Sequence, residues 1–143
     1  MNNRLVRFLL VEDDDDHAEL IQMALAENRI TNKVERVKDG AEAMDYLRQT
    51  GAFAGKPRPD IVLLDLKLPK VDGHEVLQQL KTDESLRTIP VVVMTTSQAE
   101  ADKVKAYYNH ANSYLTKPVD FGRFQKMVKD LKLYWGLWNQ VSA

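Results

Sequence analysis

Five short apolar runs punctuate the chain, at residues 6–11, 34–37, 61–64, 91–94 and 114–116. The first, third and fourth are apolar nearly throughout, without the strict alternation of a half-exposed strand. Strands covered on both faces look like this, as they do in parallel sheets flanked by helices. The second run, VERV, is the weakest. Between the runs, apolar residues recur at helical spacing. Leu20, Ile21, Ala24 and Leu25 make one stripe, Ala41, Met44 and Leu47 a second, and Val76, Leu77 and Leu80 a third. Residues 99–109 carry a weaker fourth pattern. Phe121, Phe124, Val128, Leu131, Trp135 and Trp138 step by three and four along a long fifth helix. The predicted order is βαβαβαβαβα, that of a doubly wound α/β fold.

The segment 50–59, rich in Gly and Pro, reads as a loop after the second helix, too short and too central to divide domains. One domain spanning 1–143 is expected, and this length can bury a real core. The balance of 20 basic and 21 acidic residues gives no electrostatic reason to expect nucleic-acid binding. Without cysteine, disulfides and thiolate chemistry are excluded, and a reducing cytoplasm suits the chain. No apolar run approaches the roughly 20 residues of a membrane span. The start, running from a short apolar stretch into four aspartates, is a strand entering a loop, not a secretory signal.

In an open parallel sheet, sites form beyond the carboxyl ends of the strands. Glu12 and Asp13 follow the first strand, Asp65 the third, Thr95, Thr96 and Ser97 the fourth, and Lys117 and Pro118 the fifth. Taken singly, each is ordinary. An aspartate run such as 13–16 is most often a solvated helix start, with Asp15 or Asp16 the expected cap of the first helix. A lone Thr after a strand is usually a cap, and a lone Lys before Pro is usually solvated. Their conjunction on one edge is what points to chemistry. Carboxylates brought together repel unless a positive group sits among them. An all-oxygen set such as Glu12, Asp13 and Asp65 suits Mg²⁺ (or Mn²⁺). The three histidines share no strand tip, which argues against zinc. An aspartate beside such an ion can act as a nucleophile toward phosphorus. The remaining needs are in-line positioning and charge neutralisation, to which Lys117 and the Thr95 hydroxyl can contribute.

The segments FLLVEDD, PDIVLLDLKLPKVDG, IPVVVMTTS and NSYLTKP resemble the signature segments of response-regulator receiver domains, and the likeness covers nearly the whole chain. It implies a flavodoxin-like fold: a five-stranded parallel sheet of order 2-1-3-4-5 with five helices. It implies a two-component signalling protein that assists its own phosphorylation and dephosphorylation but is not otherwise an enzyme. Asp65 would be the phosphoacceptor, Asp13 the direct metal ligand and Glu12 a ligand through water. The Lys67 backbone carbonyl would be a further ligand. Thr95 and Tyr114 would be the switch residues, and Lys117, in a cis bond to Pro118, would contact the phosphoryl group. Within the family, HANSYLTKPVDFGRF, the terminal LYWGLW and the loop at 51–59 are similar to single-domain regulators of phytochrome histidine kinases. Such a kinase is the partner this likeness implies. Two departures stand out. The acidic pair begins with Glu12 where chemotaxis-type receivers carry Asp, and Lys67, whose ammonium would bear on the phosphoryl lifetime, stands where phytochrome-type relatives often carry Asn.

Three other classes fit less well. A phosphatase of the haloacid dehalogenase type would carry a second aspartate two positions after the nucleophile, where this chain has Lys67. A flavodoxin-like electron carrier would need a phosphate-binding loop where Glu12 to Asp16 would repel phosphate. A transcription factor would need a DNA-binding domain, and none is expected after the fifth helix. Output by protein–protein contact is therefore expected. Leu133, Tyr134 and Leu137 lie beside or outside the stripe of the fifth helix, and Tyr107 and Tyr108 lie on the fourth. This surplus apolar surface either packs within the domain or forms a homodimer face from the fourth helix, fifth strand and fifth helix.

Overall fold

A computed structural model describes residues 7–27, 33–68, 70–95 and 113–116, together with single helical positions at Ala99, Asp102, Gly122 and Lys126. The described elements are β1 (Arg7–Val11), α1 (Asp15–Glu27), β2 (Lys33–Val37), α2 (Gly40–Arg48), a 3₁₀ turn (Gly51–Phe53), β3 (Ile61–Asp65), α3 (Gly73–Thr82), β4 (Val91–Thr95) and β5 (Ser113–Thr116). All strand pairings are parallel, in the order β2-β1-β3-β4-β5. The five-stranded parallel sheet expected from the sequence is therefore present. The fourth and fifth helices, apart from the four single positions, lie outside the described residues.

The central strands β3 and β4 are buried at every residue. Their side chains alternate between two cores. Ile61, Leu63, Val92 and Met94 join Phe8 and Leu10 beneath Ala18, Ile21, Ala24 and Leu25 of α1. Val62, Leu64, Val91 and Val93 join Leu9 and Val11 beneath Met44 and Leu47 of α2 and Val76, Leu77 and Leu80 of α3. Helices on both faces explain why these strands are apolar throughout. Each fully buried aliphatic side chain contributes about 1.5–3 kcal/mol before the cost of ordering the chain. The edge strand β2, KVERV, is buried only at Val37, which is why its signal was weak.

Two sequence expectations need correction. Leu20 is 53% exposed. Ala18, Ile21, Ala24 and Leu25 form the inward stripe, and at about 100° per residue Leu20 turns away from it. The cap of α1 is Asp14, not Asp15 or Asp16: its Oδ1 accepts the Asp16 and His17 amides at 2.9 and 3.1 Å. The cap must precede the first helical residue, because its side chain reaches forward two and three positions. Asp39 and Asp72 cap α2 and α3 in the same way, accepting from Glu42 and His74 at 2.8 Å each. After α2, residues 49–60 bend through left-handed Gln49, Gly51 and Gly55. This segment seats Phe53 against Tyr46, with ring centroids 5.4 Å apart.

Candidate functional site at the strand tips

Parallel pairing places the carboxyl ends of all five strands on one edge. Glu12 and Asp13 directly follow β1, Asp65 ends β3 and Thr95 ends β4. One carboxylate oxygen from each of Glu12, Asp13 and Asp65 lies within 4.8 Å of the others. Glu12 is fully buried, Asp65 is 4% exposed, and Asp13 faces solvent. Thr95 is buried beside them, at the end of the strand adjacent to β3.

Local hydrogen bonding holds these groups. Glu12 N–H donates to the Val37 carbonyl at 3.1 Å, extending the ladder one residue past β1. Asp14 N–H donates to Glu12 Oε2 at 3.3 Å. Lys67 N–H donates to Asp65 Oδ1 at 3.0 Å and orients that carboxylate. Leu66 N–H donates to the Met94 carbonyl and Gly73 N–H to the Leu66 carbonyl, at 3.1 and 3.0 Å. The loop after Asp65 is thereby tied to β4 and to the start of α3. Two glycines let the backbones meet there. A Cβ on Gly73 would lie 2.4 Å from the Asp65 carbonyl oxygen, and one on Gly40 would lie 1.9 Å from that of Val71. Lys70, in the same loop, takes a left-handed φ of 67° and places its ammonium 3.5 Å from Asp39 Oδ2.

The electrostatics call for a cation. Two charges about 5 Å apart at an effective dielectric of about 20 repel by roughly 3 kcal/mol, and Glu12 and Asp65 are a buried pair at that separation. The donors are all carboxylate oxygens, the set that a hard divalent cation takes. His17 Nδ1 comes to 3.9 Å from Glu12 Oε1. The Arg36 guanidinium meets the loop from the side, with Nε on the Glu12 carbonyl at 3.0 Å and Nη1 2.7 Å from Asp15 Oδ1. Its hydrogen bond, with the nearby Lys38 charge, holds the Asp15 carboxyl below the usual carboxylate range.

Of the residues singled out from sequence, Glu12, Asp13, Asp65 and Thr95 are brought together. Tyr114 sits in β5 opposite Val93. The Tyr114 side chain, Lys117 and the Lys117–Pro118 bond lie outside what is described. Arg36, Gly40, Gly73 and the Asp39–Lys70 pair were not singled out. The Asp-Gly pairs at 39–40 and 72–73 were a visible cap signal for two of them.

The family model of the response regulator receiver domain matches residues 8–129. The chain belongs to that family. The receiver is 51% identical over 132 residues to a probable methanogenesis regulatory protein, FilR2, of Methanothrix harundinacea, covering 92% of this chain and 84% of the relative. A bacteriophytochrome response regulator, RtBRR, superposes with a TM-score of 0.82 at 48% identity, covering 90% of this chain and 78% of that one. The Mn²⁺-bound form of Rcp1, a response regulator of Synechocystis, superposes with a TM-score of 0.77 at 42% identity, covering 91% and 94%. The receiver is therefore a two-component signalling protein, its fold is flavodoxin-like, and its acidic cluster fits a divalent cation. Among the described residues no helix is long and apolar enough to cross a membrane.

Proposed function

We propose that the receiver accepts a phosphoryl group on Asp65 from a histidine kinase and signals through the change in shape that follows. The observation that carries this reading is the juxtaposition of Asp65 with Glu12 and Asp13 at one strand edge. Mg²⁺ would be held directly by Asp13 and Asp65, with Glu12 contributing through water and the Lys67 backbone carbonyl as a further ligand. Bound there, the ion supplies positive charge that offsets the clustered carboxylates and the incoming phosphoryl oxygens. The Lys67 N–H fixes the Asp65 carboxylate. An Asp65 oxygen forms the new bond to phosphorus as the bond to the donor's leaving atom breaks, and that atom keeps the electron pair. Lys117 pairs with the transferred group. The Thr95 hydroxyl hydrogen-bonds it and draws β4 inward, and Tyr114 follows. The same groups serve hydrolysis of the acyl phosphate, so the receiver assists both directions of its cycle.

The unit 1–143 acts as one receiver domain in the cytoplasm, as a homodimer through the fourth helix, β5 and the fifth helix, and without nucleic acid. A phytochrome is the proposed kinase, on the likeness to the bacteriophytochrome response regulator RtBRR and the cyanobacterial phytochrome response regulator RcpA. The likeness to FilR2, a probable methanogenesis regulatory protein, favours a second reading, a regulator of metabolism served by a kinase other than a phytochrome. Acetyl phosphate with Mg²⁺ should add one hydroxylamine-labile phosphoryl group. Excess chelator or Asp13→Ala should remove most of that reaction, and undiminished labelling in chelator would refute the assignment. Transfer from a purified phytochrome kinase, compared with a kinase lacking a chromophore domain, separates the two readings.

A further inference from the structure

Arg36 lies on the edge strand β2, two residues from Val34, which packs on the α1 side of the sheet. Its side chain is on that same face and is 18% exposed. There it meets two parts of the acidic segment at once. Nε–H donates to the Glu12 main-chain carbonyl at 3.0 Å, and Nη1 lies 2.7 Å from Asp15 Oδ1, in the first turn of α1. Nη2 is buried as well, without a hydrogen-bond partner among the described residues. A strand tip continued by regular parallel pairing would satisfy the Glu12 carbonyl from the next stretch of β2's own backbone. Instead β2 gives way to the cap of α2 at Asp39, and a side chain takes over.

We propose that Arg36 is a positioning residue for the phosphorylation site, a two-point clamp that fixes the Glu12–Asp15 segment so that the Glu12 and Asp13 carboxylates face Asp65. The proposal rests on the phosphoacceptor reading above. Arg36 touches neither carboxylate of the pair in the contacts described; it acts through the backbone that carries them. Arg36 thereby adds to the Glu12–Val37 backbone hydrogen bond and the Asp14 cap in holding this segment against the mutual repulsion of the three carboxylates. A guanidinium is suited to the task because its rigid plane fixes the directions of several donors at once, one toward a carbonyl and another toward a carboxylate, which an ammonium on a flexible stem does not. Arg36 also brings positive charge toward a cation site. Charge alone thus predicts that its loss tightens metal binding, and positioning predicts the opposite.

The test compares wild type, R36M, R36K and D15N. Mn²⁺ affinity is read by electron paramagnetic resonance of the free ion, and the Mg²⁺ dependence of phosphorylation by acetyl phosphate is split into half-saturating concentration and maximal rate. Groups that orient metal ligands typically matter at the level of about 10–100-fold in affinity. R36M should therefore weaken Mn²⁺ about tenfold and raise the half-saturating Mg²⁺ to match, with the maximal rate little changed. R36K should not restore either, and D15N should give a smaller loss. In metal-free wild type the Arg36 Nε–H should give a slowly exchanging amide-region resonance that shifts in D15N. Should R36M fail to fold, R36K and D15N carry the same comparison. Unchanged or tighter Mn²⁺ binding in R36M, or full rescue by R36K, overturns the clamp and leaves the phosphoacceptor reading standing. Failure of wild type itself to be phosphorylated overturns that reading instead.

Discussion

Gly73→Ala is a small change placed where the loop after Asp65 meets α3. The new Cβ would lie 2.4 Å from the Asp65 carbonyl oxygen, 2.5 Å from Leu66 Cα and 2.6 Å from the Leu66 carbonyl oxygen. All three atoms are backbone, so no side chain can swing aside. Reaching the 3.0 Å below which real Cβ atoms are essentially never found requires a retreat of about 0.6 Å. The Gly73 N–H bond to the Leu66 carbonyl, 3.0 Å long, lies in the path of that movement. Overpacking of this kind costs about 1–3 kcal/mol, or a fall of roughly 3–10 °C in Tm for a chain of this size. The functional cost is separate. A misplacement of about 1 Å can slow a positioned reaction about 100-fold, so a shift of about 0.6 Å at Asp65 should slow phosphorylation by about tenfold. Gly51→Ala is the control. It meets nothing within 4 Å but sits at φ 59°, so it should cost about 1 kcal/mol of backbone strain and leave the reaction rate alone. Urea unfolding and intact-mass time courses with acetyl phosphate measure both quantities. Wild-type rate and stability in Gly73→Ala would refute the reasoning, because they would mean that the loop moves without cost to Asp65.

Asp39→Ala should lose about 1 kcal/mol, the usual worth of an N-cap. Lys70 adds little because it is largely exposed. Although burial pushes the Asp39 carboxyl up, the Glu42 amide and the Lys70 charge outweigh it and hold the carboxyl below its ordinary value of 3.8. Asp39 thus contributes stability that is complete above that value and lost as pH falls through its folded pKa. The difference in urea midpoint between wild type and Asp39→Ala should accordingly be constant near neutrality and shrink below about pH 4; a difference growing in acid would count against it. Thr95→Ala should still accept phosphate but respond weakly to it, since a ligand shifts populations only by its differential affinity for two states. An undiminished downstream response would contradict the switch role. Charged substitutions at Tyr134 or Leu137 should give monomers by light scattering that still phosphorylate, and a wild type monomeric at every concentration, with and without a phosphoryl mimic, would rule the dimer out.

The strand tips were legible because chemistry and fold signal coincide there. The runs before Asp65 and Thr95 are apolar on both faces, so their ends are sharply marked. β2 was faint because it is an edge strand buried only at Val37, and such a strand needs few apolar residues. Leu20 entered the first stripe because apolar neighbours at adjacent positions blur a helical period, and only packing tells which of them points inward. Arg36 was invisible for another reason. Its partners, Glu12 and Asp15, lie more than twenty positions away, and an arginine in a strand carries no local mark of a distant carbonyl. The close approaches at Gly40 and Gly73 are likewise tertiary; sequence shows an Asp-Gly cap, not the backbone waiting above it.

The central claim is that Asp65 is the nucleophile, and peptide mapping of the acyl phosphate tests it most directly. Wild type treated with acetyl phosphate and Mg²⁺, then reduced with borohydride to convert the aspartyl-phosphate to homoserine, should show a single conversion, at Asp65. Asp65→Asn should show none and gain no phosphoryl mass. Conversion at Asp13 or elsewhere in wild type, or phosphorylation of Asp65→Asn to the wild-type extent, would contradict the account.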